Sequence, residues 1–534
     1  MVLTVQMSHH ISAHAEAETV VIRLGRTRDR TSLLVGLIAA GLSIASTFYY
    51  VSHQLVLGYQ DSFSHLEISR RVVSGLSPGI AQLGGVWLPV PQLLQGLFSW
   101  DYTLYRTGLA GVAVSMASYV LATVLLYRLI GLFSGDRRWP AVAGAMVFAV
   151  NVNVLYQQST SMDELPFYAF TIAVVYYLVK WGETRRSTNL LAASVCSMLA
   201  MLCRYEGWFL SGVYVVCVIA MGRRLGYSWR DVRGLALIAS TFGLFIPAGG
   251  WLLYNALIFN NPLNFENGSY SSVAQMAERH TDINVGNWLL TLKGYGYAAG
   301  SDLGLAVLAL AAVGLIVFLV AERFSAKSLP VLGLLTIIPF FLFTLESGYE
   351  PISLPQQGAL LNYRFGLVVA IPAAFLIGYL VSRLPGRAVI PAALTAILAL
   401  ATLSGVSFER HQVVLATEAA QDLYAQRGQI QAGNFLVRHT TGLILLDIVE
   451  NERVGFDTVD RTVYEGTKES GRNQWAAVLR DPAVFGIRVI VMRRPSPTEP
   501  ADAVYLALHN ATILQQYRLV YHDRYYLIYS LPTT

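Results

Sequence analysis

TSLLVGLIAAGLSIASTFYYV, residues 31–51, is the first stretch long enough to cross about 30 Å of hydrocarbon, and GYQDSFSH follows it at residues 58–65. Asp61 and His65 stand four positions apart, so on a helix they share a face. Arg70-Arg71 come next, then Trp87-Leu88-Pro89-Val90-Pro91. Ionisable groups pinned at the mouth of a membrane helix point to chemistry done at the membrane surface.

Composition agrees with a membrane protein. Of 534 residues, 54% are hydrophobic and 13% charged, with a mean hydropathy of +0.49, whereas soluble domains carry about 25% charged residues. The net charge of +5 is modest, its placement matters more than its size, and no nucleic-acid partner is expected. Cys196, Cys203 and Cys217 lie in or beside apolar runs and read as small buried side chains. No cleavable leader pattern precedes residue 31, so residues 1–30 read as a retained cytoplasmic tail.

Apolar runs of spanning length recur near residues 32–52, 108–133, 139–156, 165–181, 188–203, 207–222, 234–257, 303–321, 329–345, 365–382 and 388–406, about eleven in all. Starting from Arg23, Arg26, Arg28 and Arg30, alternate loops collect Arg137/Arg138, Lys180/Arg185/Arg186, Arg223/Arg224/Arg230/Arg233, Arg323/Lys327 and Arg383/Arg387. The positive-inside rule assigns all of these to the cytoplasm of a multi-pass protein of the cell (plasma or inner) membrane. An odd number of spans then leaves residues 407–534 outside. External loops 53–107, 258–302 and 346–364 are long and hold Asp, Glu, His, Trp and Tyr, so the working face is expected there.

Beyond Ser407 the sequence becomes that of a small α/β domain. Residues 412–438 have helical spacing, 443–447 and 487–492 read as buried strands, 502–510 as a helix, and 517–521 with 525–529 as a hairpin. It carries no phosphate loop, zinc spacing or nucleophile elbow, so recognition or a lid role is expected of it rather than catalysis.

Two further polar turns belong to the same face. Asp163-Glu164 precede Leu165-Pro166, and Arg204-Tyr205-Glu206-Gly207-Trp208 fill a short turn. Charges this close to hydrocarbon are costly unless paired or used. The ordinary alternative is that Asp61, Asp163, Glu164 and Glu206 cap helices or solvate turns. Arg204 and Arg364, both at the external face, are candidate phosphate-binding forks, with pairing to loop carboxylates as the alternative. Arg70 and Arg71 are open to lipid headgroups.

The order of Tyr59-x-Asp61-x-x-x-His65, Trp87-Leu-Pro-x-Pro, Asp163-Glu164, Arg204-Tyr205-Glu206-Gly207-Trp208 and Asn261-Pro262-Leu263 resembles the GT-C superfamily of membrane glycosyltransferases over residues of about 30–405. Within it the chain is similar to prokaryotic relatives of protein O-mannosyltransferases and of lipid A aminoarabinose transferases. The resemblance implies an α-helical polytopic catalytic domain over 31–406 and an extracytoplasmic domain over 407–534. It implies a sugar donor carried on a polyprenyl phosphate, a lipid, protein or polysaccharide acceptor, and inversion at the anomeric carbon. Asp61 then matches the first-loop acid, the general base, and Asp163 with Glu164 match the second acidic motif. His65, Trp87, Arg204, Tyr205, Glu206 and Arg364 are assigned to substrate binding. Members of the O-mannosyltransferase group show Asp-Glu in the first loop, where this chain has Asp61-Ser62. No Trp-Trp-Asp motif follows residue 407, so no metal is obligatory, although Asp61, Asp163 and Glu164 offer oxygens to a divalent cation.

Two readings of other classes stay open. A transporter or flippase of lipid-linked saccharides has a similar number of spans, but no repeat relates residues 30–220 to 234–406, and the acids cluster at one face. A non-catalytic sensor of cell-wall material does not need Asp61 and Asp163-Glu164 together.

Overall fold

A computed structural model describes residues 30–135, 137–268, 270–274, 284–354, 357–448, 451–464, 472–496 and 501–532. The tail expected over residues 1–30 lies outside them apart from Arg30. Among the described residues, nine helices are long and apolar enough to span a membrane: Arg30–Ser52, Leu109–Ser134, Glu164–Thr184, Glu206–Arg224, Trp229–Phe259, Leu305–Glu322, Leu329–Glu346, Tyr363–Ser382 and Gly386–Ala425. The remaining two apolar runs also form helices, but shorter ones. Ser187–Met201 has 15 residues. The run at 139–156 breaks into Arg138–Ala149 and Val152–Gln157, because Asn151 turns its side chain onto the amides of Asn153 and Val154 and starts a second helix. The chain is therefore an α-helical polytopic membrane protein.

Most of its buried core is one apolar cluster between these helices, with a smaller one of Ala143, Val381, Val389 and Ala393 beside it. Small residues set the closest approaches. At Gly111 an added Cβ would lie 2.8 Å from the Ser161 Cα, so glycine lets the helix Leu109–Ser134 touch the turn that carries Asp163. In the span Trp229–Phe259, Pro247 lacks the N–H that would serve the Gly243 carbonyl, the helix widens at Thr241–Phe245, and Ser197 Oγ donates to that carbonyl at 3.3 Å.

The last of the spans begins with the apolar helix Gly386–Glu409, and the residues of helical spacing over 412–438 form two further helices, Val414–Ala425 and Arg427–His439. A five-stranded sheet follows, ordered β2-β1-β3-β5-β4, with β1 Leu443–Leu445, β2 Thr462–Val463, β3 Ile487–Arg493, β4 Arg518–His522 and β5 Tyr526–Ser530. β1 lies parallel to β2 and β3, while β3, β5 and β4 run antiparallel in turn. Alternation sends Ile444, Val489 and Val491 toward Leu436 on one face, and Leu445, Ile490 and Met492 toward Val504 and Leu508 on the other. Both faces are covered, which is why these strands read as unbroken apolar runs.

The segment between β1 and β2 rests on the first loop. Helix Gln60–Val73 and helix Pro89–Ser99 fill that loop, and Phe63 and Tyr105 pack on Phe456. Arg70 donates to Asp460 through Nε at 3.0 Å and Nη2 at 2.5 Å, and through Nη1 to the carbonyls of Ser99 and Trp100. Arg71 pairs with Glu67 at 3.6 Å and lies over the Tyr464 ring. The headgroup role open to Arg70 and Arg71 in the sequence gives way to protein contacts, since Asp460 and two carbonyls take up Arg70 while Glu67 and the Tyr464 ring flank Arg71.

Candidate functional site

Helix starts build the site. Asp61 sits in the first turn of Gln60–Val73, Glu164 in that of Glu164–Thr184 and Glu206 in that of Glu206–Arg224, where the helix dipole favours negative charge. Asp163 occupies an N-cap position yet makes no cap hydrogen bond. Its carboxylate reaches across to Arg204 instead, so capping is not the use to which this side chain is put.

The carboxylates and arginines form one chain of contacts. Arg364 Nη2 donates to Asp61 Oδ2 at 2.5 Å, and its Nε lies 3.7 Å from Glu164 Oε1. Arg204 donates through Nη1 to Asp163 Oδ1 at 2.5 Å and to Glu164 Oε1 at 3.1 Å, and through Nε to Glu206 Oε1 at 2.9 Å. Gln157 donates to Glu164 Oε2 at 2.6 Å. Four carboxylates thus surround two guanidinium groups, so each charge has an opposite partner within the network.

Exposure separates the acids. The Asp61 side chain is 32% exposed, against 9% for Asp163, 3% for Glu164 and 7% for Glu206. Asp61 is the one of the four that an incoming group can reach. Burial pushes its carboxyl up, but the Arg364 guanidinium, helped by His65 and Arg204, outweighs burial and holds it below the usual carboxylate range.

Arg364 is the less committed cation. Among the described residues its Nε is buried with no hydrogen-bond partner, and Nη1 meets only the Met162 sulfur, at 3.8 Å. Arg204, by contrast, is shared by three carboxylates.

His65 is 2% exposed and does not touch Asp61. The Gln92 amide lies 2.8 Å from Nδ1, Trp87 packs on the ring at 4.4 Å, and Nε2 faces Asp163 Oδ2 at 3.9 Å. With the amide donating, the ring proton sits on Nε2, toward Asp163. Burial depresses the imidazole's basicity more than Asp163 and Asp61 restore it, so His65 is neutral near pH 7. Tyr205 donates to the Val86 carbonyl at 2.5 Å and stacks on Phe265, which ties the Arg204 turn to the loop that carries Trp87.

The structure thus brings Asp61, His65, Asp163, Glu164, Arg204, Glu206 and Arg364 into one network, with Trp87 and Tyr205 beside it. Sequence reading missed Gln92, Gln157, Met162 and Glu350. Gln92 directly follows Trp87-Leu-Pro-Val-Pro, a signal that was available. Glu350 had none, yet burial pushes it up to about 7 against the pull of Arg364 and Arg204. Among the described residues no group of three or more His, Cys, Asp or Glu is arranged to hold a metal ion, because guanidinium groups stand between the carboxylates.

No family model matches the sequence, and no curated protein matches it. Solved structures do. ArnT from Cupriavidus metallidurans bound to undecaprenyl phosphate superposes with a TM-score of 0.56 at 13% identity, covering 92% of this chain and 97% of that one. The apo form of the same protein gives 0.52 at 14% identity, over 94% and 98%. An oligosaccharyltransferase from Archaeoglobus fulgidus gives 0.49 at 12% identity, over 87% and 70%. The chain therefore shares the overall fold of ArnT, a polytopic helical domain followed by a smaller C-terminal one, as its motifs led one to expect.

Proposed function

We propose that the chain is a glycosyltransferase that moves a sugar from a polyprenyl-phosphate donor to an acceptor hydroxyl at the external membrane face, with inversion and with Asp61 as general base. The observation that carries this reading is the Asp61–Arg364 pair, an accessible carboxylate held against a guanidinium with an unused donor, within the GT-C fold. Arg364 is the group that takes the lipid phosphate. As phosphate engages Arg364, Asp61 is released from its partner while still ionised.

The freed carboxylate accepts the acceptor's hydroxyl proton as that oxygen bonds to the anomeric carbon. The bond from carbon to phosphate oxygen breaks on the opposite face, and the electron pair leaves with the polyprenyl phosphate, whose charge Arg364 meets. Asp163, Glu164 and Glu206 fix Arg204 and, through Glu164, the placement of Arg364. His65 and Trp87 hold the wall beside Asp163. This reading requires no metal, since Arg364 meets the charge on the leaving group.

Purified protein in nanodiscs, given a polyprenyl-phosphate sugar and a matching acceptor, is expected to release polyprenyl phosphate. Asp61→Asn should lower turnover by about 100- to 10,000-fold. It should also keep or tighten binding of undecaprenyl phosphate, because a competitor for Arg364 is gone, whereas Arg364→Gln should lose that binding. Full turnover in Asp61→Asn would remove the base, and saccharide flux across proteoliposomes without transfer would replace the enzyme with a transporter.

A further inference from the structure

The helix Glu206–Arg224 starts in the carboxylate network and ends 18 residues later, roughly 27 Å away at 1.5 Å per residue. Its far end therefore lies at the other membrane face from Asp61. There, between this helix and Trp229–Phe259, is a cavity of about 420 Å³ lined by Ile219, Trp229, Val232, Arg233 and Ala236.

Its surroundings are cationic on one side and apolar on the other. Arg223, Arg224, Arg230 and Arg233 are all exposed, and among the described residues none of them pairs with a carboxylate. The nearby acid, Asp231, is engaged by Ser228 Oγ at 2.6 Å. Arg223 lies over the Trp229 ring at 4.6 Å, which holds the indole at the rim. From the rim a stripe of exposed Leu237, Phe242, Phe245 and Ile246 runs along a span whose most apolar window is only 22% buried.

We propose that this cavity is a binding site for one anionic phospholipid of the leaflet opposite Asp61. Its phosphate meets Arg233, Arg230 and Arg223 supply the surrounding positive field, Trp229 packs on the glycerol region, and one acyl chain follows Val232, Ala236 and the exposed stripe. Charge selects the headgroup, since four arginines against the single carboxylate of Asp231 leave a net positive field that favours a net negative lipid over a zwitterionic one. The cavity separates this site from ordinary annular lipid by giving one molecule walls on two helices.

The test uses the full chain in nanodiscs of phosphatidylcholine and phosphatidylglycerol at three to one, released for native mass spectrometry. Wild type is expected to retain one phosphatidylglycerol at least tenfold over phosphatidylcholine, and inorganic phosphate should not displace it. Arg230→Gln with Arg233→Gln should reduce that retention at least fivefold, while Arg230→Lys with Arg233→Lys should keep most of it. Equal retention of the two lipids by wild type, a comparison that needs no variant, would overturn the proposal. So would undiminished retention in the glutamine variant.

Discussion

Glu67 shows how one burial event sets a pH dependence. It is 2% exposed on the helix that carries Asp61, and burial pushes its carboxyl up to about 7 although Arg71 draws it back. An acid whose folded value lies above its unfolded value keeps its proton longer when folded, so stability is lost as pH rises from the ordinary carboxylate range through about 7. Glu67→Gln should therefore be the more stable protein at pH 8 and nearly equal to wild type at pH 5, with a gap no larger than the order of 3 kcal/mol. Unfolding temperatures across that pH range check it, and a gap that widens toward acid would contradict the assignment. Asp61 works with the opposite sign: its depressed carboxyl contributes stability above the ordinary carboxylate range and loses it only as pH falls through the lower folded value.

At the scale of elements, the first-loop helix is held between two bodies. One side faces Arg364 and the acidic turn, and the other is clasped by residues 456–464 through Arg70–Asp460, while Tyr105 to the Phe456 carbonyl at 2.7 Å and Tyr464 to Gln82 at 2.6 Å bind the same segment to the rest of the first loop. Arg70 uses Nε and both Nη atoms in this clasp, so its loss leaves a carboxylate and two carbonyls short of donors. Arg70→Ala should cost about 1.5–3 kcal/mol and speed amide exchange over residues 60–73. Exchange in the helix Glu164–Thr184 should stay unchanged. Asp460→Asn should reproduce the local effect in weaker form, and a double variant should add little to Arg70→Ala, because both remove one interaction.

For the whole molecule, the helices put the acidic network and the basic loop ends at opposite ends of the same bundle. Arg204 and Glu206 begin the helix whose other end is Arg223-Arg224. With the positive-inside rule this supports the proposed orientation, with residues 407–534 outside. Single cysteines at Arg224 and at Asn510 should then label from opposite sides of sealed vesicles, Asn510 from outside. Labelling of both from one side would reverse the proposed orientation or remove a span.

The sequence alone determined the membrane class, the eleven apolar segments and four of the five strands of the C-terminal sheet, because each depends on local periodicity and length that burial in lipid or between two layers imposes; the two-residue β2, Thr462–Val463, is too short to leave such a pattern. It also named most of the polar residues of the network, since charges beside hydrocarbon are rare enough to stand out. Their pairing was settled by tertiary structure. Asp61 and His65 share a helix face, yet one meets Arg364 and the other Gln92 and Asp163, residues 303, 27 and 98 positions away. Arg204 and Arg364 read alike in the sequence, and only packing distinguishes an arginine shared by three carboxylates from one with a donor to spare. Such contacts depend on which helix ends meet in space, and no local pattern encodes that.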